Sequence, residues 1–251
     1  MVNLPTGPRP NQVTEAGGQW VASYQKRILA LCKTLGIRKF PTYDKGKWTY
    51  YDGQPHTYTP ESIDDFLPPV PADQLAQAVD AVAKLELMCQ TFDVDHPERA
   101  PDAEAWDSMT LSTWLDGLEL GPVARKLLEA AAGGPVGGTS DNTSLLGYLF
   151  VAKANGGPVR LVSVKGGELA FRLDGGSALI ARRLVQRIGE QRVKLNSPVT
   201  QIERTGSGVW VIAGTAVWSA QHVIVAVPPP WPRGSATTRR CRRRATSTPN
   251  T

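Results

Sequence analysis

Between Phe171 and Pro230 the spacing of apolar residues changes period, and the order of the changes predicts a succession of elements. After the tight turn Asp174-Gly175-Gly176, Leu179, Ile180, Leu184 and Ile188 recur at helical spacing while three arginines mostly face away from them. That pattern predicts one amphipathic helix, capped by Ser177 at its start and Gly189 at its end. Short runs rich in valine and isoleucine follow at 192–196, 199–204, 208–213, 216–221 and 222–227, with Thr205-Gly206-Ser207-Gly208 as a hairpin turn. The last run, His222-Val-Ile-Val-Ala-Val227, is almost wholly apolar, which suits a strand covered on both faces, and Pro228-Pro229-Pro230 stops it.

The same reading applies upstream. Residues 1–12 are rich in proline and glycine and predict no element; a helix is expected over 23–35, with Gly36 as its C-cap. Gly17 and Gly18, just before Trp20, permit close approach of the backbone to another backbone or to a flat ligand, or form a plain turn before a core tryptophan. Strands are expected at 39–43 and 47–53, the second turning at Asp52-Gly53 into a hairpin partner at 54–59. A proline-rich connection, 60–74, leads to a helical block. There Leu75, Val79, Val82, Leu85, Met88 and Phe92 make one long face, with Asp73 as N-cap. Thr110 is placed to cap 111–118, and Pro122 opens 123–132 at first-turn position. The stretch 130–139 is too glycine-rich to continue a helix, and Asn142 or Thr143 starts a helix over 144–155 that ends at Gly156-Gly157. A short strand is expected at 159–165. Helices and strands so interleaved describe a mixed α/β (α+β) fold, compatible by period alone with any α/β enzyme core.

Composition narrows this little. The chain has 251 residues, 41% of them hydrophobic, enough for one large or two small cores. No apolar run approaches the roughly 20 residues that cross a bilayer, and 1–12 hold no secretory hydrophobic segment, so the expectation is a cytoplasmic protein with no membrane partner. Cys32, Cys89 and Cys241 are odd in number with no CxxC pair, which argues against a disulfide framework or a zinc site. The formal charge of +5 is local: residues 231–251 hold six arginines and no acid. This Ser/Thr-rich tail is expected to be disordered and to bind polyanions without reading sequence, so no specific nucleic-acid partner is expected. His56, His96 and His222 are scattered with no carboxylate or cysteine at ligand spacing, predicting no metal site. No G-x-S-x-G, H-E-x-x-H or phosphate-cradling glycine loop occurs, so no catalytic residue is assigned.

One longer pattern is more specific. Glu15-Ala-Gly-Gly-Gln-Trp-Val21 followed by Gln25-Lys-Arg-Ile-Leu-Ala-Leu31 resembles the flavin-containing monoamine oxidases, the FAD-dependent amine oxidase family. The likeness continues in collinear order through Phe40-Pro-Thr-Tyr43, Ser144-Leu145-Leu146, Ala154-Asn-Gly-Gly157, Arg172-Leu-Asp-Gly-Gly-Ser177 and Val223–Pro229, covering roughly 13–230.

The resemblance implies an FAD-binding Rossmann-like domain with an antiparallel meander, beside a mostly helical substrate domain. Segments 13–38 and 171–230 would belong to the first, 39–170 with its helical block at 73–155 to the second, leaving 231–251 as the tail. It implies oxidation of a small amine by hydride or equivalent transfer to the flavin, reoxidation by oxygen and hydrolysis of the imine. Gly17, Gly18, Gln19 and Trp20 would pass beside the isoalloxazine, and Val199 would meet the adenine end of FAD. Trp20, Phe150 and Asn155 would face the amine cavity. Three departures stand out: Ala22 replaces a usual glycine, 133–138 is reduced to glycines with Pro135 and Val136, and a glutamine-bearing loop has become Gly166-Gly167-Glu168-Leu169-Ala170, which predicts loss of a polar group at the cavity. Against family members, the N-terminal G-x-G-x-x-G unit and the C-terminal catalytic and FAD-binding part are missing. The expectation is therefore an incomplete FAD-binding fold, inactive as an isolated chain. The alternative is a non-catalytic truncated remnant, or a fragment completed by another chain, with strand 222–227 left as an exposed apolar edge.

Overall fold

The computed structural model describes residues 3–5, 13–59 and 68–227. The chain forms two compact units, 1–184 and 185–251. The first opens with β1 (Asn3–Pro5) paired antiparallel to β2 (Val13–Glu15). The N-terminal dozen thus does contribute an element, because in a two-stranded ribbon both strands are edges and Pro5 needs no ladder donor. Next come β3 (Trp20–Val21), α1 (Lys26–Thr34) and β4 (Lys39–Pro41). Helix α1 begins three residues later than its apolar period predicts, since the Gln25 side chain accepts from the Ala22 N–H and holds 22–25 as a turn. It ends as expected, with Gly36 at φ +67°. Strands β5 (Trp48–Tyr51) and β6 (Pro55–Tyr58) form the anticipated Asp-Gly hairpin.

The helical block comprises α2 (Ala72–Gln90), α3 (Ala103–Ser108), α4 (Leu111–Asp116), α5 (Pro122–Val136), α6 (Leu145–Ala154) and α7 (Pro158–Val162). Leu111, Leu115, Leu145, Leu149 and Leu161 are the largest side chains completely withdrawn from water, each worth about 2 kcal/mol of burial. They pack with Ala78, Ala81, Leu85 and Cys89 of α2 and Leu128 of α5. Thr110 caps α4 as expected, its Oγ1 accepting from Thr113 N at 3.0 Å. For α6 the cap is Ser144 itself, accepting from Gly147 N, and not Asn142 or Thr143. Asp73 lies within the first turn of α2 and not at its cap.

Two expectations fail in this block for one reason, that tertiary packing outweighs local propensity. Helix α5 runs through Gly133 and Gly134 to Val136, although each glycine costs about 1 kcal/mol in a helix. Buried Ala124, Leu128 and Ala132 hold its face in the core. The strand expected at 159–165 is instead α7: Gly157 at φ +113° turns the chain, Pro158 supplies a preset φ at the first helical position, and Leu161 drops into the core.

After the block, β7 (Phe171–Leu173) pairs antiparallel with both β3 and β4, giving the order β3-β7-β4. Trp20 lies opposite Arg172 on one side, and Phe40 opposite Arg172 on the other. Helix α8 (Ala178–Ile188) follows, and the unit boundary falls within it. A second, smaller core joins these distant segments: Val21, Cys32, Leu35 and Ile37 pack with Leu173 and Ile180. Ser177, expected to cap α8, donates its hydroxyl to the Gly18 carbonyl at 2.8 Å.

The second unit is a meander of β8 (Gln201–Arg204), β9 (Val209–Ala213) and β10 (Ala216–Ala220), in the order β10-β9-β8. The strand expected at 192–196 does not form. A 3₁₀ turn at Glu190–Arg192 and Asn196 at φ 52° break the extended conformation it would need. Residues 222–227 are exposed, as foreseen for an uncovered apolar edge, but they pair with no strand among the described residues, and Ile224 is 90% exposed. The arginine-rich tail, 231–251, lies outside the described residues. Every strand pair among them is antiparallel, and helix and sheet are mixed.

Candidate functional site

The segment from Glu15 to Val21 reaches β3 through two glycines that need no unusual φ. A Cβ built on Gly17 or Gly18 would meet nothing within 4 Å. Their value therefore lies in an open backbone face, which any side chain would cover. Gly18, Gln19 and Trp20 form one wall of an open cleft of about 770 Å³, within the ~300–1,000 Å³ range of small-molecule sites. Val21, Ile28, Leu173 and Ile180 supply apolar lining, and Asn155 closes another side. Lys26 and Arg27, at the start of α1, line it too and bring positive charge.

Beside this cleft lies a polar cluster not foreseen from the sequence. The Glu168 carboxylate accepts from the Tyr24 hydroxyl at 2.9 Å and from Gln25 Nε2 at 2.7 Å, and both donors line the cleft. The loop 166–170 thus sets a carboxylate on two residues that line the cleft, while Glu168 itself is not among the lining residues. The Arg160 guanidinium stacks 4.7 Å from the centre of the Tyr24 ring. Burial of the Tyr24 phenol, reinforced by its bond to Glu168, pushes its pKa upward, so it stays protonated as a donor.

Of the residues singled out from the sequence, Gly18, Gln19, Trp20 and Asn155 come together around the cleft, with Gly17 adjoining. The Asn155 amide is already engaged, donating to Val151 O at 2.8 Å and lying 3.4 Å from the Tyr24 hydroxyl. Phe150 sits on α6, 40% exposed, and is not among the lining residues. Val199 belongs to the second unit, half exposed just ahead of β8. Among the described residues no three His, Cys, Asp or Glu side chains gather as a metal ion would require. No helix among them is long and apolar enough to cross a membrane.

Residues that sequence reasoning passed over are Tyr24, Gln25, Glu168 and the pair Glu15 and Ser177. Ser177 stands out in the sequence only as a helix cap, and Glu15, Gln25 and Glu168 enter only as members of longer motifs with no role of their own. The others carry no local signal because their partners are 143 to 162 positions away.

The sequence profile of the flavin containing amine oxidoreductases matches residues 4–231. The chain belongs to this family. Among curated relatives, it is 25% identical over 216 residues to a probable flavin-containing monoamine oxidase A of Dictyostelium discoideum, covering 86% of this chain and 47% of that protein. It is 31% identical over 225 residues to the flavin-containing amine oxidase B of Sus scrofa, covering 86% of this chain and 41% of that one. Among solved structures, a single-substitution form of putrescine oxidase superposes with a TM-score of 0.75 at 27% identity, over 86% of this chain and 48% of that one. Cyclohexylamine oxidase from Brevibacterium oxydans IH-35A shares the fold at TM-score 0.75 and 24% identity, over 86% of this chain and 47% of that one. The chain thus spans less than half the length of these relatives.

Proposed function

We propose that this chain forms the wall of an FAD-dependent amine oxidase site that faces the flavin ring and the amine. The observation that carries the reading is the open backbone of Gly17 and Gly18 beside a cleft that also presents Trp20. A planar ring approaches to van der Waals contact only where no Cβ intervenes, and here two consecutive positions lack one. The residues present therefore fit the isoalloxazine end of the cofactor. When bound, the flavin supplies the acceptor for the hydride equivalent that leaves the amine carbon.

In this reading the protein's part is positioning. Gly17, Gly18 and Gln19 seat the ring from one side, and Trp20, 39% exposed, gives the amine's apolar portion a flat surface. Lining by Val21, Ile28, Leu173 and Ile180 lowers the local water content, which strengthens polar contacts made inside. The Glu168–Tyr24 pair fixes the Tyr24 ring at the edge of the cleft. Segments 13–38 and 171–230 serve the cofactor, 39–170 the substrate, and Val199 the adenine end.

The test is the visible absorption of the purified chain after incubation with excess FAD and removal of the unbound cofactor. Retained flavin that bleaches when a small amine is added without oxygen supports the full reading. Retained flavin that never bleaches reduces the chain to a cofactor-binding wall, and no retained flavin in a folded sample contradicts the proposal.

One observation favours a second reading, in which the fold is completed by another polypeptide. Residues 223–227 are apolar and pair with no strand among the described residues, with Val225 and Val227 largely exposed as well as Ile224. Segments of this kind are stable in water only when another strand or layer covers them. Under this reading a separate chain of the same family supplies the cover, and co-expression of the two raises the yield of soluble, flavin-bearing protein.

A further inference from the structure

The glycine segment is held by a closed ring of contacts that starts from a buried acid. Glu15 lies two residues before Gly17, and its side chain is only 3% exposed. One carboxylate oxygen accepts from Arg172 Nη2 at 3.0 Å, and the other accepts from the backbone N–H of Ser177 at 2.6 Å. The Ser177 hydroxyl in turn donates to the Gly18 carbonyl at 2.8 Å. Arg172 stands opposite Trp20 in the β3–β7 ladder. The path from Gly18 through Ser177, Glu15 and Arg172 to Trp20 therefore closes on both ends of the segment that walls the cleft.

We infer that Glu15 and Ser177 are positioning residues, setting where the open backbone face of Gly17 and Gly18 stands. This rests on the flavin reading above for its consequence, though its geometry does not. Glycine has no side chain with which to fix itself, so two in succession are mobile unless their carbonyls are anchored from outside. Here the anchor is a single hydroxyl whose own main chain is fixed by a desolvated carboxylate. Charge-assisted bonds of that kind are shorter and stronger than neutral ones, and breaking one inside the protein leaves a donor unsatisfied. The arrangement fits a site in which a flat group must meet the backbone at a fixed distance: the shelf is rigid before anything docks. Arg172 Nε is buried without a hydrogen-bond partner among the described residues, so Arg172 has no second acceptor at that atom to replace Glu15.

The experiment is amide hydrogen exchange, read by mass spectrometry on the flavin-free chain, for wild type, Ser177→Ala and Glu15→Gln. Ser177→Ala deletes the one bond to Gly18 and nothing else in the ring. Exchange over residues 17–21 should rise about tenfold, with exchange in α1 unchanged and global stability lowered by no more than the loss of one hydrogen bond. Glu15→Gln keeps an acceptor for the Ser177 N–H and loses the carboxylate charge that faces Arg172, so the rise should be smaller. Unchanged exchange over 17–21 in both variants overturns the inference. An equal rise across α1 overturns it as well, because the two residues would then only support the fold.

Flavin affinity measured on the same samples separates the two readings. Wild type that binds no FAD, while Ser177→Ala still loosens 17–21, sinks the flavin reading and leaves this one standing. FAD bound by wild type and lost or weakened in the loosened variant supports both readings, and FAD bound by a wild type whose variants show no loosening leaves the flavin reading standing and overturns this one.

Discussion

Gly18 is where the account is most exposed to test at the scale of a residue. Nothing within 4 Å would resist a side chain there, and its φ lies outside the glycine-favouring region, so Gly18→Val should melt within about 0.5 kcal/mol of wild type. If a ring docks on that face, the same change should abolish flavin retention; unimpaired retention would show that the face is not used. Cys89 makes a second, chemical prediction. Burial, with the Glu86 charge as a lesser cause, pushes its thiol up to about 11. Because the folded value is raised, the stability linked to this thiol is fully present below its ordinary value and is lost as the pH climbs toward 11. Only the thiolate is nucleophilic, so alkylation of Cys89 in the folded chain should be negligible at neutral pH and appear together with alkaline unfolding. Rapid labelling near neutrality, followed by peptide mapping, would contradict the burial described for α2.

Among the elements, those with a strong period and punctuation at both ends were legible. Helices α2 and α8, the Asp52-Gly53 hairpin and the 204–209 turn are signalled locally, although Asp73 falls inside the first turn of α2 and Val79 of its expected apolar face is exposed. The failures occur where a distant partner decides. Helix α5 survives two glycines because its face is buried, α7 replaces a strand because Leu161 packs into the core once Gly157 and Pro158 turn the chain, and 222–227 lacks the neighbour its composition calls for. The candidate site divides in the same way. Gly17, Gly18 and Trp20 are adjacent and could be read directly, whereas Glu15, Tyr24 and Glu168 acquire meaning only when 168–177 is folded against 15–25. Leu149, wholly buried in the middle of α6, should cost about 3 kcal/mol when changed to Ala in denaturant unfolding. Ser144→Ala should cost about 1 kcal/mol through loss of the α6 cap together with the hydroxyl's bond to Asp107. If the two losses were equal, the helical block would not be organised around α6.

In the whole molecule a finished cleft wall and an uncovered apolar segment occur in one chain. The cleft wall is anchored by Glu15 and Ser177, while 222–227 offers consecutive apolar side chains to water. Ile224→Lys should reduce concentration-dependent association in light scattering without altering the first unit's melting, since a charge on an open strand blocks edge pairing. Whether the Gly17–Gly18 face receives a flavin ring is read by an equilibrium titration of FAD with the chain, followed by quenching of flavin fluorescence. The account predicts saturable binding at one FAD per chain, lost in Gly18→Val while the fold is kept. Absence of saturable binding by a chain that melts cooperatively would contradict it.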